Sequence, residues 1–177
     1  MIPDWRGGTR GQWALRAVIV AGTLAALYSR GLATSRPPVW LGVAALLLAA
    51  GWALFPESVV GAGVLLLVGW AWAASDPVGL PAAAIVAAAA MLAAHLAALI
   101  LGYGPPRLPV AAGAVRLWAV RGLLLLVPAV LVWLVARGVE ELPDSHTAWV
   151  LGLAVAVSVT VVAVAVIQAL MPQAEDA

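Results

Sequence analysis

The sequence contains no cysteine, only one phenylalanine and few charges, with 10% Asp, Glu, Lys and Arg against about 25% in an ordinary soluble domain. Without cysteine there is no disulfide framework, no thiolate nucleophile and no thiolate ligand for a metal. Lysine is absent as well. The nine basic residues are all arginine, set against eight acids, and the formal net charge of +1 creates no basic field that would attract nucleic acid. Catalytic signatures are missing too: no H-E-x-x-H, G-x-S-x-G, Walker A loop or cysteine-based zinc pattern occurs.

What is abundant is apolar side chain, at 65% of the chain. A soluble fold of this length leaves roughly a third of its unfolded-chain surface wet, which so few polar residues could not cover. Lipid is therefore the expected solvent. A hydrocarbon core about 30 Å thick takes about 20 helical residues, and only helices or closed barrels cross it with their backbone groups satisfied.

Apolar runs meet that requirement at approximately residues 12–33, 39–55, 58–74, 80–103, 116–137 and 146–170. The expected fold is an all-α integral membrane protein, one domain over 1–177 forming a compact bundle of about six transmembrane helices. In the first run the uncharged centre between Arg16 and Arg30 is only ~21 Å long, so both arginines are expected to reach outward to the headgroups. A cleaved signal peptide would share the basic start, but no clean A-x-A site follows, and the first run is read as a retained span. Pro56 and Glu57 divide the second run from the third, predicting a tight hairpin of two spans, each ~26 Å long. Asp76, Pro77 and Gly79 turn the chain into the fourth. Pro128 lies inside the fifth, where a kink is expected. The Val/Ala alternation of the sixth imitates a strand, but its length decides for helix.

Arginine distribution sets orientation. With the N-terminus inside, Arg6, Arg10, Arg16, Arg107, Arg116 and Arg121 face the cytoplasm and Arg30, Arg36 and Arg137 lie outside. The expected location is the bacterial cytoplasmic (plasma) membrane, multi-pass, with both termini cytoplasmic. Arg16, Arg116, Trp118 and Arg121 are expected interface anchors, and Trp13, Trp40, Trp52, Trp70, Trp72, Trp133 and Trp149 are assigned with Trp118 to the headgroup layer. Small residues at Gly42, Ala45 and Ala49, at Ala83, Ala87, Ala90 and Ala94, and at Gly152, Ala156 and Thr160 predict close helix approach.

His95 is the candidate buried functional residue, since ionisable groups at membrane depth are presumptive functional sites. A buried imidazole could relay protons, ligate a metal or switch a helix contact. The structural alternative is a neutral imidazole bonded to a carbonyl, or to Ser158 or Thr160, and the absence of any deep acid favours it. Glu140, Glu141, Asp144 and His146 read as a solvated turn and helix cap before the sixth run. Neither catalytic residues, a cofactor nor a metal is expected.

His95, the stretch LILGYGPP from Leu99 to Pro106, Arg116-Leu117-Trp118-Ala119-Val120-Arg121 and Phe55-Pro56-Glu57-Ser58 together resemble a family of small polytopic membrane proteins. These occur in high-GC Gram-positive bacteria, encoded beside MoxR-type ATPases and membrane-anchored DUF58 proteins. The resemblance covers roughly residues 52 to 121. It implies an accessory membrane subunit without an assigned activity and transfers no catalytic residue.

The expected function is thus a non-enzymatic membrane scaffold or accessory subunit, partnered by the lipid bilayer and by other membrane proteins or further copies of itself. The alternative is a small transporter or channel with His95 buried in its fourth span. The near absence of polar pore-lining residues weighs against that alternative, and the sequence identifies no small-molecule ligand.

Overall fold

In the computed structural model of the chain, the first helix begins where Thr9 and Gln12 close on each other. The backbone N–H of Gln12 donates to the Thr9 hydroxyl at 3.5 Å, and the Thr9 N–H donates to Gln12 Oε1 at 3.3 Å. This reciprocal capping box satisfies two donors that a helix start leaves open. The described residues are 9–75, 79, 81–103, 111–139, 150, 152–155, 157, 158, 161, 162 and 165. Packing divides the chain into two compact units, residues 1–122 and 123–177.

The elements of the first unit are α1 (Arg10–Ser29), a 3-10 turn (Arg30–Leu32), α2 (Val39–Leu54), α3 (Val60–Ala73), α4 (Ala83–Tyr103) and the first part of α5 (Ala112–Val139). Strands are absent among the described residues. Three helical stretches are long and apolar enough to cross a membrane: Arg10–Leu32, Ala83–Tyr103 and Ala112–Gly138. The second and third expected spans are shorter than the sequence suggested, at 16 and 14 residues. Their lengths are ~24 Å and ~21 Å at helical rise.

Local chemistry explains the shortening. Phe55 precedes a proline, whose ring disfavours helical backbone at the preceding residue, and Phe55 accordingly leaves the helix at φ −127°, ψ 73°. Ser58 then donates to the Phe55 carbonyl at 2.6 Å, holding the turn closed, and α3 does not begin until Val60. Before α4, Gly79 adopts φ 67°, a left-handed conformation that glycine takes without penalty. Pro81 follows where the first turn leaves N–H groups unbonded anyway, and its carbonyl accepts from Ala84 N–H at 3.0 Å. α5 starts at Ala112, four residues ahead of Arg116, and continues through Pro128 to Val139.

Contacts between helix ends establish the direction of each helix in the first unit. Trp72 Nε1, in the last turn of α3, donates to the Ala26 carbonyl near the end of α1 at 3.0 Å, so α1 and α3 run the same way. Gly102, near the end of α4, lies beside the Glu57 side chain of the α2–α3 turn. α4 therefore runs with α2, against α1 and α3. α1 packs against all three others and most extensively against α4.

The core draws Ile19 and Ala26 from α1, Trp52 and Ala53 from α2, Val64 and Val68 from α3, and Ala87, Met91, Ala94, Ala97 and Ala98 from α4. Gly42, Ala45 and Ala49 are all buried, as are Ala83, Ala87 and Ala94, while Ala90 is partly so. The two small-residue rows expected of α2 and α4 are thus packing faces. On α1 the α4 row meets Gly22, where a β-carbon would stand 2.7 Å from the Ala90 carbonyl oxygen, while Gly42 of the α2 row meets the Tyr28 side chain. In lipid, dispersion between closely fitted helices replaces the hydrophobic effect as the attractive term, and approach this close depends on glycine and alanine. The row Gly152, Ala156 and Thr160 lies partly outside the described residues.

In the second unit, α5 continues from Leu123, and the residues described between 150 and 165 are helical. That places helix within the sixth expected run, whose ends lie outside the described residues.

Candidate functional site

α4 presents His95, Ala98, Leu99 and Gly102 at positions i, i+3, i+4 and i+7, one face of a helix. Opposite this face, α2 ends and α3 begins. The indole of Trp52 rests on Gly61, where a β-carbon would lie 2.6 Å from Nε1 and 2.8 Å from Cε2. Only glycine leaves room for the ring. Thus held, Trp52 is 2% exposed, with its ring centroid 6.3 Å from that of His95 and the planes tilted by 41°. That separation is within the range of favourable aromatic pairing.

Between these elements is a half-open cavity of about 440 Å³, walled by Trp52, Leu65 and Leu99, with Glu57, Ser58, His95 and Tyr103 contributing polar atoms. It exists because Gly61, Ala62, Ala98 and Gly102 place little volume where larger side chains would meet. Glu57 is exposed, and it makes no hydrogen bond or ion pair among the described residues. The Ser58 hydroxyl hydrogen is committed to the Phe55 carbonyl, so the oxygen offers only lone pairs to the cavity.

His95 is not buried, which corrects the expectation drawn from its depth in the fourth run. Depth along a helix does not say which way a side chain points, and this one points to an open cavity where the imidazole is exposed. Within the first unit it makes no hydrogen bond among the described residues. Ser158 belongs to the second unit, and Thr160 lies outside the described residues.

Arginine–tryptophan pairs at the expected anchor positions share a local geometry. The Arg16 guanidinium stands 5.1 Å from the Trp13 ring centroid, and Arg121 stands 5.3 Å from that of Trp118. Each arginine follows its tryptophan by three positions, so helical spacing alone brings cation and ring face together. In the second unit, Arg137 lies 5.4 Å from the Trp133 ring at a spacing of four. Arg116 is exposed on α5.

Two of the tryptophans assigned to the headgroup layer also join the helices to one another. Trp52 is buried, and Trp72 gives its N–H to Ala26. Arg30 likewise turns inward: Nη1 donates to the Ala71 carbonyl at 3.0 Å, satisfying one of the acceptors that the end of α3 leaves open. The signals missed in the sequence were Gly61, which makes the slot for Trp52, and the pair Thr9 and Gln12, whose T-x-x-Q spacing announces the capping box.

Compared with protein families, with curated proteins and with solved structures, the chain matches none. The residues themselves carry the functional argument. No three of His, Asp and Glu come together as a metal-binding group among the described residues. Glu140, Glu141, Asp144 and His146 lie outside them.

Proposed function

We propose that the protein is a non-enzymatic scaffold or accessory subunit of a bacterial cytoplasmic membrane complex. It crosses the membrane as a bundle of about six helices with both termini in the cytoplasm. The observation that carries this reading is how the first unit uses its interior polar groups. Arg30 and Trp72 bond helix to helix, and Thr23 and Ser29 bond back to carbonyls of α1 at 2.9 Å each. Groups spent in this way hold a fold together. Ser58, the hydroxyl that shares the cavity with His95, has given its hydrogen to its own turn.

A small transporter is the second reading, favoured specifically by the cavity at His95 and Glu57. Purification from the native host in mild detergent separates the two. A stoichiometric membrane partner supports the subunit, whereas a lone protein that moves solute when reconstituted in liposomes supports the transporter. Topology is testable without background because the chain has no cysteine. A single cysteine at Ser75, beyond α3, should react with an impermeant thiol reagent in intact cells, and one at Thr9 should not. The reverse pattern overturns the orientation.

A further inference from the structure

We infer that the cavity between the α2–α3 turn and the end of α4 is a binding site for a lipophilic organic ammonium, held by Glu57. This goes beyond the accessory-subunit reading and does not depend on it. The volume of about 440 Å³ is within the range that small-molecule sites occupy, about 300 to 1,000 Å³. A molecule of a dozen or so heavy atoms would fit.

The polar inventory selects the charge of the occupant. Among the described residues that line the cavity, Glu57 is the one carboxylate and none is an arginine, so a phosphate or carboxylate would meet repulsion from Glu57 there. Among the described residues Glu57 makes no ion pair and no hydrogen bond. An ammonium would supply a countercharge, and a primary or secondary one would also supply donors for the Glu57 oxygens and the lone pairs of Ser58. Trp52 and Tyr103 add aromatic rings to the lining, and the faces of such rings attract cations whether or not these carry donors. A cation is the one charge type that every polar or aromatic group here accepts.

Position supplies the second half of the specificity. Glu57 lies against Gly102, and His95 is two helical turns back along the same face of α4, about 10 Å by helical rise. Leu99 lies between these levels and Leu65 faces across from α3, so the body of the ligand meets hydrocarbon while its charged end meets Glu57. His95, with no hydrogen bond of its own within the first unit, is available to a polar group at the far end of the ligand. An amine with an apolar body matches this sequence of surfaces; a hydrophilic amine would leave the apolar wall unused. The same chemistry is carried by a free lipophilic amine and by the ammonium of a phospholipid headgroup.

The test is calorimetric titration of the whole protein, in an uncharged maltoside micelle, with benzyltriethylammonium as probe and toluenesulfonate as its anionic counterpart. Saturable binding of the cation alone is expected. Glu57→Gln, at an exposed turn position, should weaken it at least tenfold with the thermal transition unchanged, and Glu57→Asp should restore part of the loss. Ala62→Phe, an exposed lining position, should obstruct the cavity and weaken binding without altering charge. Competition by added phosphatidylethanolamine but not phosphatidylglycerol assigns the natural occupant to a lipid headgroup. Indifference to both assigns it to a free amine. The proposal is overturned if the folded protein shows no saturable cation binding, if toluenesulfonate binds as well, or if Glu57→Gln leaves the affinity unchanged.

Discussion

The guanidinium of Arg30 donates to the carbonyl of Ala71, joining the end of α1 to the end of α3 over a sequence separation of 41. A charge-assisted bond of this kind contributes about 1.5 to 3 kcal/mol. Arg30→Met should therefore lower stability in detergent by about that amount, whereas an arginine merely reaching toward headgroups would cost little when replaced. Trp72→Phe keeps the ring and removes only the N–H donated to Ala26, and about 1 kcal/mol is the expected loss. Thermal or denaturant unfolding in micelles measures both. If neither variant moves the transition, the helix-locking role is wrong.

Gly22 tests the crossing of α1 and α4. A β-carbon there would lie 2.7 Å from the Ala90 carbonyl and 3.1 Å from the Ala94 β-carbon, and backbone on both helices must shift to admit it. Gly22→Ala should cost about 1 to 3 kcal/mol through overpacking. Gly63 and Gly69 on α3 provide controls, since nothing lies within 4 Å of a β-carbon at either. Alanine at those two positions should be neutral or stabilising by up to about 1 kcal/mol through helix propensity. Equal effects at all three sites would remove the argument for a specific close approach.

The alanine-rich face of α4 offers a comparison between neighbours. Ala87 is buried and Ala88 is exposed, so Ala87→Leu should destabilise by about 1 to 3 kcal/mol and Ala88→Leu should be tolerated. Unfolding midpoints of the two variants decide the matter. Tolerance of leucine at both positions would mean that α4 is not packed as described.

These rows were legible in the sequence because a spacing of three or four confines residues to one helix face whatever the tertiary arrangement. Gly42, Ala45 and Ala49 could be assigned to an interface without knowing the partner. The partner itself was not legible: that Gly42 meets Tyr28 of α1, and Gly22 meets Ala90 and Ala94 of α4, is decided by how the helices cross. The packing roles of Trp52 and Trp72 were hidden for a related reason. A tryptophan near the end of an apolar run has the same sequence signature whether it meets headgroups or fills a slot, and the slot at Gly61 forms only when the hairpin closes. The cavity escaped notice because it is made by what Gly61, Ala62, Ala98 and Gly102 omit. Glu57 read as a loop charge because its relation to His95 depends on α4 returning to the α2–α3 turn.

His95 and Trp52 face each other, and their variants should behave in opposite ways. His95 is exposed at the cavity and makes no hydrogen bond within its unit among the described residues, so neither His95→Gln nor His95→Leu leaves a buried group unsatisfied. Both should change stability by less than about 0.5 kcal/mol, the usual scale for exposed positions. Trp52 is 2% exposed and seated on Gly61, and truncating a buried tryptophan to alanine costs about 3 to 5 kcal/mol. Trp52→Ala should therefore lower the unfolding transition markedly while both His95 variants leave it in place. A loss of more than 1 kcal/mol in His95→Leu that His95→Gln restores would show a structural hydrogen bond at the imidazole. If instead both variants fold normally and His95→Gln abolishes a pH-dependent flux in liposomes, the imidazole carries protons, and the small-transporter reading displaces the accessory subunit.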